Sequence, residues 1–285
     1  MPNPAQVIAS GHEELTVRVD VASDIGVKRA LNEDSFLATA PVFLVADGMG
    51  GHAHGDMASQ AVARVFAAAV PSGRPTTAES VLAALKDSNA AVHELSVGAP
   101  DERSMAGTTV SGLALVESES QSSLHWMIFN IGDSRVYSWD DGLVQLTVDH
   151  SAIQELIDEG KITIDEASGH PERNVVTRAI GVDDEVEADV WLLPTGGRQV
   201  FLICSDGLTK ELSDDSISRM VADAVLRGAI DGLASSLVAS AIQAGGLDNI
   251  TVIVVDASVR PVVDGRGGHS TGDIPAFLEQ TLPRA

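Results

Sequence analysis

The chain has 285 residues, of which 44% are hydrophobic and 21% charged, so it is long enough to bury a core without disulfides. Eighteen basic and 41 acidic residues give a formal net charge of −23, which argues against binding to nucleic acid or to an anionic membrane. The single cysteine, Cys204, excludes an intrachain disulfide, and no apolar run approaches the roughly 20 residues that a membrane helix needs.

The first 34 residues predict a strand followed by a segment with charged residues. The start, MPNPAQVIASGHEEL, has neither the basic nor the apolar region of a secretion signal, and with the lone cysteine it predicts a reduced, cytoplasmic protein. The segment LTVRVDVASDIG alternates apolar and polar residues, as a half-buried strand does. Beyond it, KRALNEDSF contains the acid pair Glu33 and Asp34 and also Arg29, whose planar guanidinium suits a phosphate.

Four short apolar runs each lead to an aspartate beside Gly, Ser or Asn. The runs are PVFLVADGMGG, IFNIGDSR, VFLICSDGL and GGLDNITVIVV, with Asp47, Asp133, Asp206 and Asp248. Each run is typical of a buried strand bounded by a turn, which places its carboxylate on a loop at a strand end. One such pair alone is ordinary turn chemistry. Four converging carboxylates would repel each other without a cation, and hard oxygens select Mg²⁺, Mn²⁺ or Ca²⁺ over zinc.

Helices are predicted in pairs between runs of strands. The segment GDMASQAVARVFAAAV has an apolar stripe that includes Met57, and the next helix follows a capping-box pattern of Thr76 and Glu79. Residues 214–227 and 231–244 form the second predicted pair. Paired helices disfavour a parallel βαβ arrangement and favour an α+β fold with two antiparallel sheets and outer helix layers.

The remaining segments predict a hairpin, a loop-rich region and a polar tail. RVYSW and LVQLT flank residues 140–142, Asp-Asp-Gly, as the strands of a hairpin would. Residues 150–185 contain a short helix, SAIQELIDEG, and then loop-rich sequence. The segment after Asp256, SVRPVVDGRGGHSTGD, is rich in glycine and polar residues, which indicates a flexible tail over residues 257–285.

The chain closely resembles the bacterial metal-dependent protein Ser/Thr phosphatases of the PPM, or type-2C, family. The resemblance covers about residues 16 to 256 and rests on eight segments in the family's order: RALNEDSF, VADGMGGHAHGDMAS, AGTTV, NIGDSRVYSW, LTVDHS, HPERNVVTRAIG, FLICSDGLTKEL and GGLDNITVIVV. It implies a four-layer αββα sandwich over residues 1–256. In this reading residues 150–185 are the flap beside the active site.

The resemblance implies the metal ligands. Asp47 is expected to bridge two ions, one of which also binds the backbone carbonyl of Gly48. Asp206 and Asp248 are expected to complete the shell of one ion. Asp133 matches the residue that, with Asp206, holds a third and weaker ion. The implied cofactors are therefore two Mn²⁺ or Mg²⁺ ions in the core site and a third, weaker one.

The same resemblance implies roles for residues that bind no metal directly. Glu33 and Asp34 are expected to act on the second ion through waters, and Arg29 to bind the substrate phosphate. Some members have a histidine two residues after the bridging aspartate, as a proposed general acid. This chain has Met49 there, and the nearby His52 and His54 are the candidates for that role, with His52 preferred.

The implied activity is hydrolysis of phosphoserine and phosphothreonine by direct attack of a metal-bridged water or hydroxide, without a phosphoenzyme. The expected partners are phosphorylated proteins, substrates of a Ser/Thr kinase, and the enzyme itself is expected to be a monomer. Two alternatives remain: a phosphohydrolase for a small phosphorylated metabolite, and a catalytically silent binding module on the same fold. The second is disfavoured because every carboxylate of the site is present. A nucleotide-binding role lacks a GxxxxGK[ST] loop.

Overall fold

The computed structural model describes residues 5–10, 13–49, 54–96, 106–117, 123–167, 169–228 and 230–261. The strands are β1 (Gln6–Ser10), β2 (Glu13–Asp24), β3 (Asp34–Thr39), β4 (Val42–Met49), β5 (Gly107–Thr108), β6 (Val110–Glu117), β7 (Leu124–Ile131), β8 (Arg135–Trp139), β9 (Leu143–Gln145), β10 (Asp189–Pro194), β11 (Arg198–Cys204) and β12 (Ile250–Pro261). The helices are α1 (Gly55–Ala69), α2 (Ala78–Ser96), α3 (Ala152–Asp158), α4 (Ile164–Ala167), α5 (Asp206–Thr209), α6 (Asp214–Leu226) and α7 (Leu233–Ala244).

Two antiparallel sheets form the centre of the molecule. One has the strand order β1-β2-β12-β11-β8-β9, and the other has β10-β7-β6-β4-β3 with β5 paired to β4. All the pairings between these strands are antiparallel. The alternation in β2 buries Leu15, Val17 and Val19 on one face, as the sequence predicts. Strands β4, β6 and β7 are buried on both faces because helices cover their outer side.

Three layers of apolar side chains hold the sandwich together. Phe43, Trp126 and Phe201 belong to the core between the sheets, where the rings of Trp126 and Phe201 meet edge to face with centroids 5.4 Å apart. Helices α1 and α2 cover the second sheet, and Phe66 of α1 stacks on Phe129 with centroids 5.5 Å apart. Helices α6 and α7 cover the first sheet through a third cluster. This order confirms the predicted αββα architecture.

Several helix details differ from the prediction. In α1, Ala61, Val62 and Phe66 of the predicted apolar face are buried, together with Ala58, whereas Met57 is 41% exposed. Helix α2 is capped by Thr77, whose Oγ1 accepts a hydrogen bond from the Ser80 N–H at 3.1 Å. Thr76 instead pairs with β6, since its N–H donates to the Leu115 carbonyl and its carbonyl accepts from the Glu117 N–H, both at 2.9 Å.

The second helix pair is slightly shorter than predicted. Helix α6 ends at Leu226, and α7 begins at Leu233 after Gly232, whose φ of +83° is in the left-handed region that favours glycine. The predicted hairpin is present, with β8 and β9 on either side of residues 140–142. None of the described helices is long and apolar enough to cross a membrane.

Strand β12 corrects the predicted domain boundary. The strand does not end at Asp256 but continues to Pro261, and residues 257–261 pair with residues 13–17 of β2. Five residues assigned to the tail therefore belong to the first sheet. Serine, arginine and proline interrupt the apolar residues of this segment, Ala-Ser-Val-Arg-Pro, which weakens its strand signal. The rest of the predicted tail, residues 262–285, lies outside the described residues.

Candidate functional site

Both sheets contribute residues to one cavity of about 340 Å³. It is lined by Arg29, Glu33, Asp47, Gly48, Met49, Thr109, Asp133, Asn174, Val176, Asp206, Lys210 and Asp248. Seven of these residues are predicted site residues. The four aspartates from the apolar runs therefore converge as the sequence predicts, although they are up to 201 positions apart (248 − 47).

The backbone of Asp47 is held by the two threonines of AGTTV. Thr109 donates its N–H to the Asp47 carbonyl at 2.9 Å, and its Oγ1 accepts from the Asp47 N–H at 3.1 Å. The Thr108 hydroxyl also donates to the Asp47 carbonyl at 2.9 Å. Thr109 in turn bonds the hydroxyl of Ser134 at 2.8 Å, which connects Asp47 to the loop of Asp133. These contacts join the end of β4, with Asp47, to the loop after β7, with Asp133.

Gly48 is a place where no side chain fits. A Cβ there would lie 2.1 Å from the carbonyl oxygen of Gly55 and 2.7 Å from that of Glu33. The Gly48 N–H donates to the same Glu33 carbonyl at 3.2 Å. The start of α1, the Glu33 loop and β4 therefore meet closely beside Asp47 because position 48 is glycine.

Asp34 is buried beneath the cavity rather than at its wall. It lies opposite Asp47 in the β3–β4 pairing, and its Oδ2 accepts a hydrogen bond from the Ser205 hydroxyl at 2.8 Å. Burial raises the pKa of Asp34 to about 7, and the nearby carboxylates of Asp206 and Asp248 also raise it, against the hydroxyls of Thr251 and Ser205. Asp34 does not line the main cavity, so its water-mediated role at a metal stays a prediction.

The carboxylates share a strongly negative environment. Burial raises the pKa of Asp47 well above its usual value, and the neighbouring carboxylates, led by Asp34 and Asp206, add to the effect. Burial, Asp206 and Asp149 raise the pKa of Asp133 to about 7. Burial likewise raises the pKa of Asp206. Positive charge in the cavity would relieve this repulsion.

Two cationic side chains pair with this cluster. Arg29 Nε lies 2.8 Å from Asp248 Oδ1, and its Nη2 donates to Asp248 Oδ2 at 2.9 Å. The ammonium of Lys210 contacts Asp206 Oδ2 and lies 3.2 Å from Asp248 Oδ2. Burial raises the pKa of Asp248, but Lys210 and Arg29 outweigh it and hold that pKa below its usual value. Arg29 also approaches Glu33, with Nη1 and Oε2 3.8 Å apart.

Lys210 and Asn249 are site residues that sequence reasoning missed. Lys210 follows Asp206 by four residues on a helical turn, a spacing that brings opposite charges together and so was available as a signal. Asn249 donates through Nδ2 to the carbonyls of Ile25 and Leu31, both at 3.0 Å, and its Oδ1 accepts from the Glu33 N–H at 2.9 Å. It thereby attaches the loop of Arg29 and Glu33 to the start of β12. No local pattern predicts partners more than 200 residues away.

The residues fit a hard divalent cation by the chemistry of their donors. Carboxylate and carbonyl oxygens surround the cavity, with no imidazole or thiolate among the lining residues. Asp206 Oδ1 and Asp34 Oδ1 are buried and have no hydrogen-bond partner among the described residues, which is costly for a carboxylate that binds nothing. Over those same residues, no three His, Cys, Asp or Glu side chains form a ready-made metal-ligand group.

The structure does not identify the general acid among the two candidate histidines. Met49 lines the cavity, and His52 lies outside the described residues. His54 immediately precedes α1 and is not among the lining residues, so the identity of the acid stays a prediction.

Cys204 is fully buried in β11, and burial raises the pKa of its thiol to about 12. It is a core residue, as predicted, and not a nucleophile.

A second cavity of about 580 Å³ adjoins the first beneath the segment of residues 150–185. The two cavities share the carboxylates Asp133, Asp206 and Asp248. Ile153 of α3, Ile164 and Ala167 of α4, and the nearby Arg173 and Asn174 line the larger one. This segment therefore forms a wall beside the site, as the predicted flap would.

The protein phosphatase 2C family matches residues 27–239 of the chain. The chain belongs to this family. It is 37% identical over 207 residues to the serine/threonine protein phosphatase PstP of Mycobacterium tuberculosis, an alignment that covers 71% of this chain and 38% of the relative. It is 34% identical over 184 residues to the serine/threonine phosphatase stp of Listeria monocytogenes, covering 64% of this chain and 71% of that relative.

A solved structure extends the similarity to three dimensions. The catalytic domain of the serine/threonine protein phosphatase PstP, in complex with two manganese ions, superposes with a TM-score of 0.73 at 34% identity. The superposition covers 86% of this chain and 99% of that one. The chain thus spans about two fifths of the mycobacterial protein's full length but nearly all of the catalytic domain in that structure.

Proposed function

We propose that the chain is a metal-dependent protein serine/threonine phosphatase. The observation that carries the proposal is the convergence of Asp47, Asp133, Asp206 and Asp248 on one cavity that Arg29 also lines. Carboxylates in this number suit divalent cations, and an arginine fork suits a phosphoryl group. The names of the relatives and the manganese-bound structure support the same activity.

In the proposed site, Asp47, the Gly48 carbonyl, Asp206 and Asp248 would hold the metals. Glu33 and Asp34 would act on the second ion through waters. Two divalent ions bound there, manganese or magnesium, would supply an acidified water for attack on phosphorus and neutralise the phosphoryl oxygens. Asp133, whose loop is bonded to Thr109, would hold a third and weaker ion with Asp206.

The side chains around the metals position the substrate. Arg29 directs Nε and Nη2 at Asp248, so its guanidinium is fixed in orientation while Nη1 has only the longer contact with Glu33. That nitrogen would bind a phosphoryl oxygen of the ester. Asn174 and Val176 also line the cavity. Departure of the serine or threonine alkoxide needs a proton, for which His52, His54 and water are the candidates.

The proposed substrates are proteins phosphorylated by a Ser/Thr kinase. A cytoplasmic location and a monomeric state remain predictions from the sequence.

The activity is tested with a phosphothreonine peptide. Hydrolysis should vanish in EDTA and return with Mn²⁺ or Mg²⁺, whereas Zn²⁺ should restore little because the cavity offers no imidazole or thiolate. Asp47→Asn should abolish turnover and keep the circular dichroism spectrum, while Asp140→Asn on the exposed hairpin should keep both. Full activity in chelator would refute the metal mechanism. Faster turnover of phosphorylated metabolites than of phosphopeptides would favour the alternative substrate class.

The third ion has its own test. Calorimetry should count two bound ions in Asp133→Ala at metal concentrations that fill the core site. Asp206→Ala should lose a tightly held ion, because Asp206 is assigned to both the core pair and the third site. Equal losses in the two variants would rule out the assignment of Asp133.

A further inference from the structure

Lys210 is positioned where a metal ligated by Asp206 and Asp248 would have to compete with it. Its ammonium contacts Asp206 Oδ2 and is 3.2 Å from Asp248 Oδ2, so one cation bridges two carboxylates that the proposed function gives to one metal ion. Only 34% of the Lys210 side chain is exposed. The ion pairs of Lys210 with Asp206 and Asp248 therefore lie in the lining of the cavity and not on the open surface.

The backbone directs Lys210 to this position. The Lys210 N–H donates to the Asp206 carbonyl at 2.8 Å and closes one turn of helix, which places residues four apart on the same face. Ser205, just before that turn, is held by Thr251 of β12, whose N–H donates to Ser205 Oγ at 2.9 Å. The turn is thus anchored, and only the flexible four-carbon stem of Lys210 has freedom to move the charge.

We infer that Lys210 is an internal counter-ion of the carboxylate cluster, which a divalent metal must displace from Asp206 and Asp248 in order to bind. An ammonium and a divalent ion repel each other, so Lys210 at its present position opposes a metal ion bound to the same two carboxylates. Lys210 thus stabilises the protein when metal is scarce and weakens metal binding by the same interaction. The inference rests on the proposed metal site, and it adds that Lys210 lowers the affinity of that site for metal.

The test compares Lys210→Met with Lys161→Met. Lys161 pairs with Glu159 at 2.5 Å on the exposed surface, so its variant makes the same change in charge without touching the cavity. After removal of metal by chelation and dialysis, calorimetry should show Mn²⁺ binding to Lys210→Met roughly tenfold to a hundredfold more tightly than to the wild type, the range expected for a charge-assisted hydrogen bond. Lys161→Met should bind Mn²⁺ as the wild type does.

Thermal melting gives a second readout with opposite signs in two buffers. In EDTA, Lys210→Met should melt below Lys161→Met, because Asp206 loses its cationic partner and Asp248 keeps only Arg29. In saturating Mn²⁺, Lys210→Met should melt at the same temperature as Lys161→Met or above it, because the metal replaces the ammonium. A purely structural role of the lysine stem would lower the melting temperature in both buffers and would overturn the inference.

If Lys210→Met does not fold without metal, the wild type itself supplies the measurement. Titration of ¹⁵N-lysine-labelled protein with Mg²⁺ should shift one ammonium signal, identified by its absence from Lys210→Arg. The inference would be overturned, and the proposed function would stand, if no ammonium signal responded to Mg²⁺. Equal Mn²⁺ affinities of Lys210→Met and the wild type would have the same meaning. No Mn²⁺ binding by the wild type would overturn the proposed function together with it.

Discussion

Asp248 is a carboxylate that pairs with two cationic side chains at once. Both of its oxygens are engaged, by the guanidinium of Arg29 and by the ammonium of Lys210. A carboxylate paired in this way fixes the direction of the arginine fork, which would prepare Arg29 for its proposed phosphoryl group before the substrate arrives. The role of Arg29 is therefore wider than the sequence prediction, which gave it the substrate alone.

Replacement of Arg29 tests this role. Arg29→Ala should lower kcat/KM for a phosphothreonine peptide by roughly ten- to a hundredfold, the range of a charged hydrogen bond lost at the transition state. Arg29→Lys should recover only part of it, because an ammonium lacks the planar fork. Lys28→Ala, which changes the adjacent exposed charge, is the control. An unchanged kcat/KM for Arg29→Ala would leave phosphate binding to the metals alone.

The carboxylates were predictable from the sequence because their signal is local. An apolar run followed by Asp and a turn residue marks a strand end, and four such runs are visible without knowledge of the fold. The supports of the site are different, since Thr109, Lys210 and Asn249 act through partners that only the folded chain brings near. Their roles depend on tertiary contacts, and Lys210 alone had a helical spacing that could have indicated it.

At the scale of secondary structure, β12 is the element on which the site and the first sheet both depend. Asp248 and Asn249 precede it, and its whole length pairs with β2. Val259 near its end packs partly buried against the core between the sheets. The strand was predicted too short because its last residues are less apolar than the rest. The predicted cap of α2 was misplaced by one residue, because Thr76 pairs with β6 and Thr77 caps the helix.

Truncation tests the corrected strand end. A chain that ends at Asp256 loses the pairing of residues 257–261 and the burial of Val259, so its melting temperature should fall by about 4 °C, given ~1 to 2 kcal/mol for a valine and a few degrees per kcal/mol. A chain that ends at Pro261 should melt within a degree or so of the full chain. If the second truncation is equally destabilised, residues 262–285 contribute to the fold.

For the whole molecule, the dominant long-range property is the formal charge of −23. A phosphorylated substrate of the proposed enzyme would meet repulsion at a distance, and attraction near Arg29, Lys210 and metals held in the cavity. Net charge therefore favours basic segments around the phosphorylated residue and disfavours acidic ones.

Ionic strength should separate two peptides that share one phosphothreonine. With Asp and Glu flanks, kcat/KM should rise as salt goes from about 0.05 M to about 0.5 M, because screening shortens the range of repulsion. With Arg flanks, kcat/KM should fall over the same range. The ratio of the two values cancels any effect of salt on metal binding. A ratio that does not change with salt would show that only contacts inside the cavity select the substrate.

The contribution of both sheets to the cavity links its geometry to residues that never meet the substrate. Asp47 belongs to one sheet, whereas Asp206 and Asp248 adjoin strands of the other, and Phe43, Trp126 and Phe201 determine how the two sheets lie against each other. A smaller side chain at one of these aromatic positions would let the sheets slide or close together, which changes the separation of the carboxylates. A screen for inactive variants would therefore recover interior aromatic residues as well as acidic ones, and the former would regain activity through compensating changes on the opposite sheet.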